Sequence, residues 1–327
     1  MSTTRPDELQ AAALAWARRH VAATELDPGA ITVSPVPNRG GFVNASFHVT
    51  DAARRYHLKL APAGECAGLE TWRRVHARLT DLYRAPQMIA WGAVPETSGF
   101  GALFEHLEGS PPTSLADGLV DDLVGVLREL HADRELAAAL VGSGTCLDHY
   151  FENHDRRFRG DLEGIQSAPP PFLRDAHVRW MWSEVERLAA IVRGSPAFQE
   201  PATATVHGDL WLDNLLVTDS GNVRVLDWDD LRLGDRVLDI ATLFGPSPND
   251  VRPVDESALP RNLFLNTVEL ERLRIYAPAT LLDWVVDPLA DWVEVDGRVH
   301  DPVRVRADKE RVHRAALALY MRRYAPT

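Results

Sequence analysis

Two short stretches of this chain carry residues that could do chemistry together. The first contains His207, Asp209 and Asn214, and the second ends an apolar run at Asp227. Magnesium prefers oxygen ligands, and a carboxylate can face an acceptor hydroxyl. A magnesium-nucleotide site could therefore use Asp209, the amide of Asn214 five positions later, and Asp227 at the end of the apolar run. The pattern therefore indicates phosphoryl transfer.

The segments around these residues indicate how the chain positions them. Apolar runs at 214–217 and 223–227 flank turn-forming residues at 219–222, which predicts a hairpin with acids at its strand ends. Further upstream, β-branched and aromatic residues predict an antiparallel sheet from the runs 31–36, 42–50, 54–60, 87–91 and 102–107. Helical spacing predicts a first helix over 7–23, with Asp7 as its N-cap, and a second from Leu69 to Leu82.

Helices dominate the second half of the chain. Ser114 can cap one of them, and residues 178–192 have the spacing of another. Asp296-Gly297 predicts a second hairpin over 293–299. The predicted class is therefore α+β with two lobes, an N-terminal lobe at 1–104, a linker at 105–112 and a mainly helical lobe at 113–327.

Length and composition narrow the class of protein further. A chain of 327 residues exceeds the size of a single core, so we expect two lobes with a cleft between them. The polar start lacks a signal peptide, no run of about 18 apolar residues occurs, and the two cysteines lie far apart. These features predict a cytoplasmic protein that neither leaves the cell nor spans a membrane.

The net charge of −12 bears on the partners of the protein. It disfavours nucleic acid, because no basic surplus is present to neutralise phosphates. It would suit a cationic substrate, although many acidic proteins use their charge only for solubility.

The run His207-Gly208-Asp209 with Asn214, followed by Leu226-Asp227-Trp228, resembles the signature of the aminoglycoside phosphotransferase and choline kinase family of small-molecule kinases. The resemblance implies a two-lobed protein kinase-like fold over nearly the whole chain. It implies that Asp209 is the catalytic residue that accepts or orients the proton of the acceptor hydroxyl. It further implies that Asn214 and Asp227 hold magnesium, and that Asp239 hydrogen-bonds the catalytic loop.

Lysine is rare in this chain, which makes Lys59 conspicuous. Lys59 and Lys309 are the only lysines among 35 basic residues, the others being arginine. A compact ammonium is not interchangeable with a guanidinium at a crowded phosphate, so Lys59 is predicted to bind the nucleotide phosphates. Glu70 is predicted to be its ion-pair partner, with Glu65 as the alternative.

Two further segments are predicted to contact the nucleotide. Gly40 and Gly41, with Asn44, lie between predicted strands, where glycines let backbone amides approach phosphates. The Gly-Gly-x-x-Asn-x-x-Phe form resembles choline, ethanolamine and related metabolite kinases more than the antibiotic-modifying branch. The run from Glu105 through Leu107 resembles the hinge of the family, whose backbone would bind adenine, and a plain linker is the alternative.

Candidates for the acceptor site lie in the predicted helical lobe. Asp283, Asp287 and Asp291, with Trp284 and Trp292, could hold a cation by charge and ring face. The simpler interpretation is stronger. It takes the tryptophans as core residues and has Pro288 end a helix, with Asp287 as an N-cap.

These observations predict an ATP- and Mg²⁺-dependent phosphotransferase. Its acceptor would be a hydroxyl of a small molecule, which is an amino alcohol, a sugar, another metabolite or an aminoglycoside-type antibiotic. A catalytically silent nucleotide-binding regulatory module is the alternative from another class. Protein phosphorylation is disfavoured because His-Gly-Asp replaces the His-Arg-Asp of protein kinases and the segment between Asp227 and Asp239 is short.

Overall fold

The computed structural model describes residues 6–36, 44–94, 99–113, 117–142, 144–246, 259, 261–296 and 301–324. The chain divides into two units, and each has its own core. The first unit comprises Met1–Ser110, Leu216–Asp230 and Val295–Pro302, and the second comprises Pro111–Leu215, Leu231–Glu294 and Val303–Thr327. The predicted lobe limits at 104 and 113, and the linker between them, stay a prediction.

A five-stranded antiparallel sheet is the centre of the first unit. Its strands run in the order β1-β2-β3-β5-β4, with β1 at Thr32–Pro35, β2 at Ala45–Thr50, β3 at Arg55–Ala61, β4 at Met88–Ala93 and β5 at Phe100–Glu105. Strand β3 is central, and its register places Lys59 between Ser46 and Ala102. The predicted sheet is therefore confirmed, and the one predicted phosphate-binding lysine lies in its middle strand.

Two helices accompany the sheet. Helix α1 is Pro6–His20 and continues as a 3-10 turn over Val21–Ala23, and α2 is Ala67–Tyr83. The prediction of Asp7 as an N-cap was wrong, because the helix begins one residue earlier. Pro6 can open a helix because the first helical position has no intrahelical partner for an N–H. Trp16 of α1 is fully buried with Phe47 and Leu58 of the sheet.

The predicted hairpin after Asn214 also belongs with the first unit. Strands β7 (Leu215–Val217) and β8 (Val223–Val225) form a two-stranded sheet. The backbone of Val217 exchanges hydrogen bonds of 2.9 and 3.1 Å with that of Ser110. The Arg224 guanidinium donates to the carbonyls of Arg84 and Ala85, both at 2.9 Å. These bonds hold the acid-bearing end of the hairpin against the rest of the first unit.

Helices form most of the second unit. They are α3 (Asp117–His131), α4 (Arg134–Ala138), α5 (Cys146–Tyr150), α6 (Arg156–Ser167), α7 (Asp175–Gly194), α8 (Arg236–Leu243), α9 (Thr267–Glu294) and α10 (Pro302–Arg323). Strands β6 (Ala204–Val206) and β9 (Arg232–Gly234) pair antiparallel between α7 and α8 in the chain. The predicted α+β class is confirmed. No helix in the ranges given above has an apolar stretch long enough to cross a membrane.

Helix α9 corrects two predictions. It continues through Pro278 and Pro288, so Pro288 ends no helix and Asp287 is not an N-cap. The helix also includes Val293, where a hairpin strand was predicted. A proline inside a helix removes one backbone hydrogen bond. Burial of the surrounding apolar side chains offsets that loss, and those side chains are Leu281, Leu282, Val285, Val286 and Leu289.

Some predicted features lie outside the described residues. These are Gly40, Gly41 and the start of the second predicted strand, the capping residue Ser114, and the tail of the predicted hairpin beyond Asp296. Asn44 is described, and it immediately precedes β2.

Candidate active site

The loop that contains Asp209 follows directly after strand β6. Gly208 adopts φ +87°, a left-handed conformation that turns the chain sharply at this point. The amides of His207 and Gly208 donate to the two carboxylate oxygens of Asp239, each at 2.9 Å. Asp239 lies in α8 and is fully buried, as the resemblance to the family implied for its loop-binding role. The buried Asp239 carboxylate therefore fixes the backbone of the loop at His207 and Gly208.

Helix α3 supplies a further partner for this anchor. His131 Nε2 lies 2.9 Å from Asp239 Oδ2. Burial acts to raise the pKa of Asp239, but hydrogen bonds with His131 and the amide of Gly208 bring that pKa below its ordinary value. Asp239 thus stays an anion that accepts several hydrogen bonds.

Both oxygens of Asp209 are held by neighbours in the same loop. Asn214 Nδ2 donates to Asp209 Oδ2 at 2.9 Å and to the Asp209 carbonyl at 2.7 Å. The indole Nε1 of Trp211 donates to Asp209 Oδ1. A 3-10 turn over Leu212–Asn214 brings the amide back to the acid. The structure therefore places Asp209 and Asn214 together, as their spacing predicted.

Trp211 was not among the predicted site residues. Its ring packs edge-on against Trp284 of α9, with 5.2 Å between centroids and 86° between planes. The only signal in the sequence is its position two residues after Asp209, which allows a local hydrogen bond. Many side chains at that spacing form no such bond, so the contact could not be predicted.

In the first unit, Lys59 lies against two carboxylates. Its ammonium donates to Asp227 Oδ1 and, at 2.8 Å, to Asp229 Oδ2. Burial alone would lower the pKa of Lys59, but the two neighbouring carboxylates raise it above its ordinary value. Burial and the charge of Asp227 raise the pKa of Asp229 to about 7, against the opposing effect of Lys59. The Lys59 ammonium therefore forms ion pairs with two carboxylates.

The backbone fixes these two acids in place. Asp227 follows β8 with φ 61°, a left-handed conformation that is uncommon for a residue other than glycine. The next residues, Trp228–Asp230, form a 3-10 turn, and the buried Trp228 Nε1 donates to the Val225 carbonyl at 2.9 Å. The Trp228 side chain thus stabilises the turn, and Asp227 and Asp229 on either side of it both contact Lys59.

The predicted pairing of Lys59 with Glu70 is not what the structure shows. Glu70 lies in the first turn of α2 and is exposed, and Glu65 is exposed as well. The α2 side chain that covers the ammonium is Trp72, whose ring centroid lies 5.7 Å from Lys59 Nζ. The helix therefore presents an indole to Lys59, and the carboxylates come from the turn after β8.

Three other residues that the structure describes were predicted to contact the nucleotide, and they are Asn44, Glu105 and Leu107. Asn44 Nδ2 donates to Asp229 Oδ2 at 2.5 Å, so its amide is committed to the acid. Glu105 ends β5, and its Oε1 accepts from Arg224 Nη2 at 2.7 Å and from the amide of Gln87 at 2.9 Å. Leu107 is half-buried in the segment that follows. The backbone of this segment, rather than the Glu105 side chain, is the part that could meet a base.

Acids gather along α9 and the facing part of α6. Arg157 pairs with Asp283, and Lys309 pairs with Asp291. Asp161 has a buried oxygen, Oδ2, with no hydrogen-bond partner in the described chain. Burial is the main cause that raises the pKa of Asp161 to about 7 and that of Asp283 to about 6. With Asp287, this group holds four acids and two basic side chains.

Comparison with known proteins now gives the family. The model of the phosphotransferase enzyme family, APH, matches residues 35–276, which is more than half of the chain. That range includes Lys59, Asp209, Asn214 and Asp227.

Three solved structures are similar to this chain. The GDP and kanamycin complex of APH(2″)-IIIa is 14% identical, and the match covers 93% of this chain and 99% of that chain with a TM-score of 0.62. Choline kinase from Cryptosporidium parvum Iowa II is 16% identical, with coverage of 95% of each chain and a TM-score of 0.57. Spectinomycin phosphotransferase APH(9)-Ia, in complex with ADP and spectinomycin, is 13% identical, with coverage of 90% and 93% and a TM-score of 0.57.

At these identities the likeness concerns the fold, which is protein kinase-like, as the resemblance of the motifs implied. The family match adds the class of reaction. The chain therefore belongs to the phosphotransferase enzyme family, APH, and it is a small-molecule phosphotransferase with a protein kinase-like fold.

Proposed function

We propose that this protein transfers the γ-phosphoryl group of ATP, with Mg²⁺, to a hydroxyl of a small molecule that carries an amine. The observation that carries the proposal is the fixed carboxylate of Asp209, whose two oxygens accept from Trp211 and Asn214. Phosphoryl transfer has a loose transition state, in which positioning and neutralisation of charge do most of the catalysis. An acid held at both oxygens is suited to orient an acceptor hydroxyl.

The side chains that we assign to magnesium carry the oxygen donors that this ion prefers. Asp227 and Asn214 offer oxygen donors, and magnesium is commonly held by one or two such side chains together with substrate phosphates and water. The Asp227 side chain is 41% exposed, so it can meet a ligand. Bound magnesium would neutralise charge on the phosphates, and Lys59 would add a second positive charge there. We assign the segment around Glu105 and Leu107 to the base and the glycines at 40 and 41 to the phosphates.

We infer the class of acceptor from the charge of the second unit. Trp211 reaches from the Asp209 loop to Trp284, which lies beside Asp283 in α9. The acids of α6 and α9 outnumber their basic partners, so a cationic group near this segment would be attracted. An indole face can hold an ammonium in addition. These features favour an amino alcohol or an aminoglycoside over a neutral sugar.

The similar structures support this choice of substrates. APH(2″)-IIIa was solved with GDP and kanamycin, spectinomycin phosphotransferase was solved with ADP and spectinomycin, and a third is a choline kinase. We further propose the cytoplasm as the site of action, because Cys66 and Cys146 are both free thiols and nucleoside triphosphates are cytoplasmic substrates.

The proposal is tested by a screen for nucleotide turnover. Purified protein is incubated with MgATP or MgGTP and with aminoglycosides, amino alcohols or neutral sugars, and release of nucleoside diphosphate is measured. We expect turnover with at least one amine-bearing acceptor, and its loss in EDTA. Asp209→Asn is the negative control. Nucleotide binding without transfer to any acceptor would favour a silent regulatory module and would contradict the proposed activity.

A further inference from the structure

One ammonium and two carboxylates form a small buried group in the first unit. The Lys59 side chain is 10% exposed, the Asp229 side chain 17% and the Asp227 side chain 41%. The two acids therefore differ in what they can reach. Asp227 is open enough to bind a ligand, whereas Asp229 faces protein groups on most sides. A shared lysine with two unequal acids suggests a division of roles.

The partners of Asp229 agree with that division. Its Oδ2 accepts from Lys59 Nζ at 2.8 Å and from Asn44 Nδ2 at 2.5 Å, so one oxygen joins two side chains. Asn44 lies immediately before β2, the strand that pairs with the lysine-bearing β3. A carboxylate oxygen held by two donors has a fixed position and can in turn fix the ammonium it contacts.

Helix α2 packs closely against the turn, and it brings an indole rather than the Glu70 carboxylate to the ammonium. A Cβ on Gly68 would lie 2.2 Å from the carbonyl oxygen of Asp229, so the helix backbone meets the turn directly. Trp72 of α2 covers Lys59, and Glu70 is exposed to solvent. Two acids contact Lys59, and Asp227 is the one predicted to hold magnesium. Asp229 is therefore left to act on the ammonium.

We propose that Asp229 is the positioning residue for Lys59, so that the ammonium stays aimed at the nucleotide phosphates when Asp227 turns to the metal. This inference rests on the proposed function, because it gives Lys59 a phosphate to meet. Asp229 contacts neither substrate nor metal in this role and acts only through Lys59. Asn44 orients Asp229.

The experiment is a double-mutant cycle on binding of a non-hydrolysable ATP analogue. Affinities are measured by calorimetry for the wild type, Asp229→Asn, Lys59→Met and the double variant, with Mg²⁺ and in EDTA. The Asp229 carboxylate repels phosphates directly in every background, but it places the ammonium only when Lys59 is present. The cycle removes the direct repulsion and leaves the effect that Asp229 exerts through Lys59.

We expect the change in analogue affinity caused by Asp229→Asn to differ about tenfold between the wild type and the Lys59→Met variant. This tenfold coupling should be the same in EDTA as with Mg²⁺. Asp230→Asn is the matched control, since it removes the adjacent exposed acid, and its coupling to Lys59 should stay within about twofold. Additive effects of Asp229→Asn and Lys59→Met would overturn the proposal. A coupling that vanishes in EDTA would also overturn it, because Asp229 would then act as a metal ligand. An equal coupling between Glu70→Gln and Lys59→Met would overturn it as well.

The Asp229→Asn variant should fold, because Asp227 still balances the charge of Lys59. Thermal unfolding checks this, and Asp229→Ser provides a second substitution should the amide disturb the turn. Failure of the wild type to transfer phosphate would contradict the proposed function alone, since analogue binding still tests the coupling. An additive cycle in an active enzyme would contradict the role of Asp229 alone.

Discussion

The indole of Trp211 donates a hydrogen bond to Oδ1 of Asp209, the acid that we assign to the acceptor hydroxyl. The bond joins two residues of one loop, and the ring of Trp211 packs at the same time against Trp284 of α9. The orientation of the acid therefore depends on a helix that is distant in sequence. Asn214 fixes the other carboxylate oxygen at 2.9 Å.

Replacing the acid itself should abolish turnover. Asp209→Asn keeps the shape of the side chain and removes its ability to accept a proton, so we expect kcat to fall about 10³-fold. Nucleotide affinity, measured by calorimetry, should stay within about threefold because the nucleotide contacts lie on other residues. Asp219→Asn, an exposed acid of the β7-β8 hairpin, is the control. Activity of Asp209→Asn close to that of the wild type would refute the assigned role.

Removing the indole donor should have a smaller effect of the same kind. Trp211→Phe keeps an aromatic ring against Trp284 and deletes only the N–H that holds Asp209. Hydrogen bonds to charged groups contribute about 1.5–3 kcal/mol, so we expect kcat to fall roughly 10- to 100-fold. Steady-state kinetics with saturating acceptor measures this. An unchanged kcat would show that Asn214 orients the acid alone.

The close approach of α2 to the turn after β8 should make Gly68 intolerant of a side chain. Gly68→Ala would place its methyl group 2.2 Å from a backbone oxygen, so we expect a loss of about 1–3 kcal/mol in the free energy of unfolding. Gly160→Ala is the matched control, because nothing lies within 4 Å of the added carbon in α6. It should stabilise the protein by about 0.5–1 kcal/mol. Urea unfolding of both variants distinguishes these outcomes.

Asp161 should make stability fall as the pH rises. Burial raises its folded-state pKa from 3.8 to about 7, so between those values the folded protein binds more protons than the unfolded chain. The free energy of unfolding therefore decreases over this interval. Asp161→Asn should match the wild type near pH 4 and unfold several degrees higher at pH 8. A Tm difference that does not depend on pH would contradict the assignment.

Much of the fold could be predicted because local and long-range preferences agree. The strands of the first unit carry β-branched and aromatic residues, and the turn at 219–222 has residues that accept its dihedral angles. Asp209 and Asn214 could be paired because five residues with a 3-10 turn bring them together within one loop. Contacts that are local in sequence require no knowledge of packing.

The remaining features depend on packing that a single sequence does not reveal. Glu70 was expected at Lys59, but α2 buries Leu69 and Trp72 and leaves Glu70 exposed. Pro288 was expected to end a helix, and the burial of its apolar neighbours in α9 outweighed the lost hydrogen bond. Asp229 could not be selected from the sequence, since nothing local shows that Asn44 and Lys59 converge on it.

Both lysines of this protein are engaged with buried carboxylates, Lys59 with Asp227 and Asp229, and Lys309 with Asp291. Each lysine is less than a tenth exposed, at 8% and 9%. Neither side-chain amine is thus presented at the surface, and the cationic side chains found there are guanidinium groups or imidazoles. Acylation requires a neutral and accessible amine, so reagents that acylate amines should leave both lysine side chains unmodified while the protein is folded.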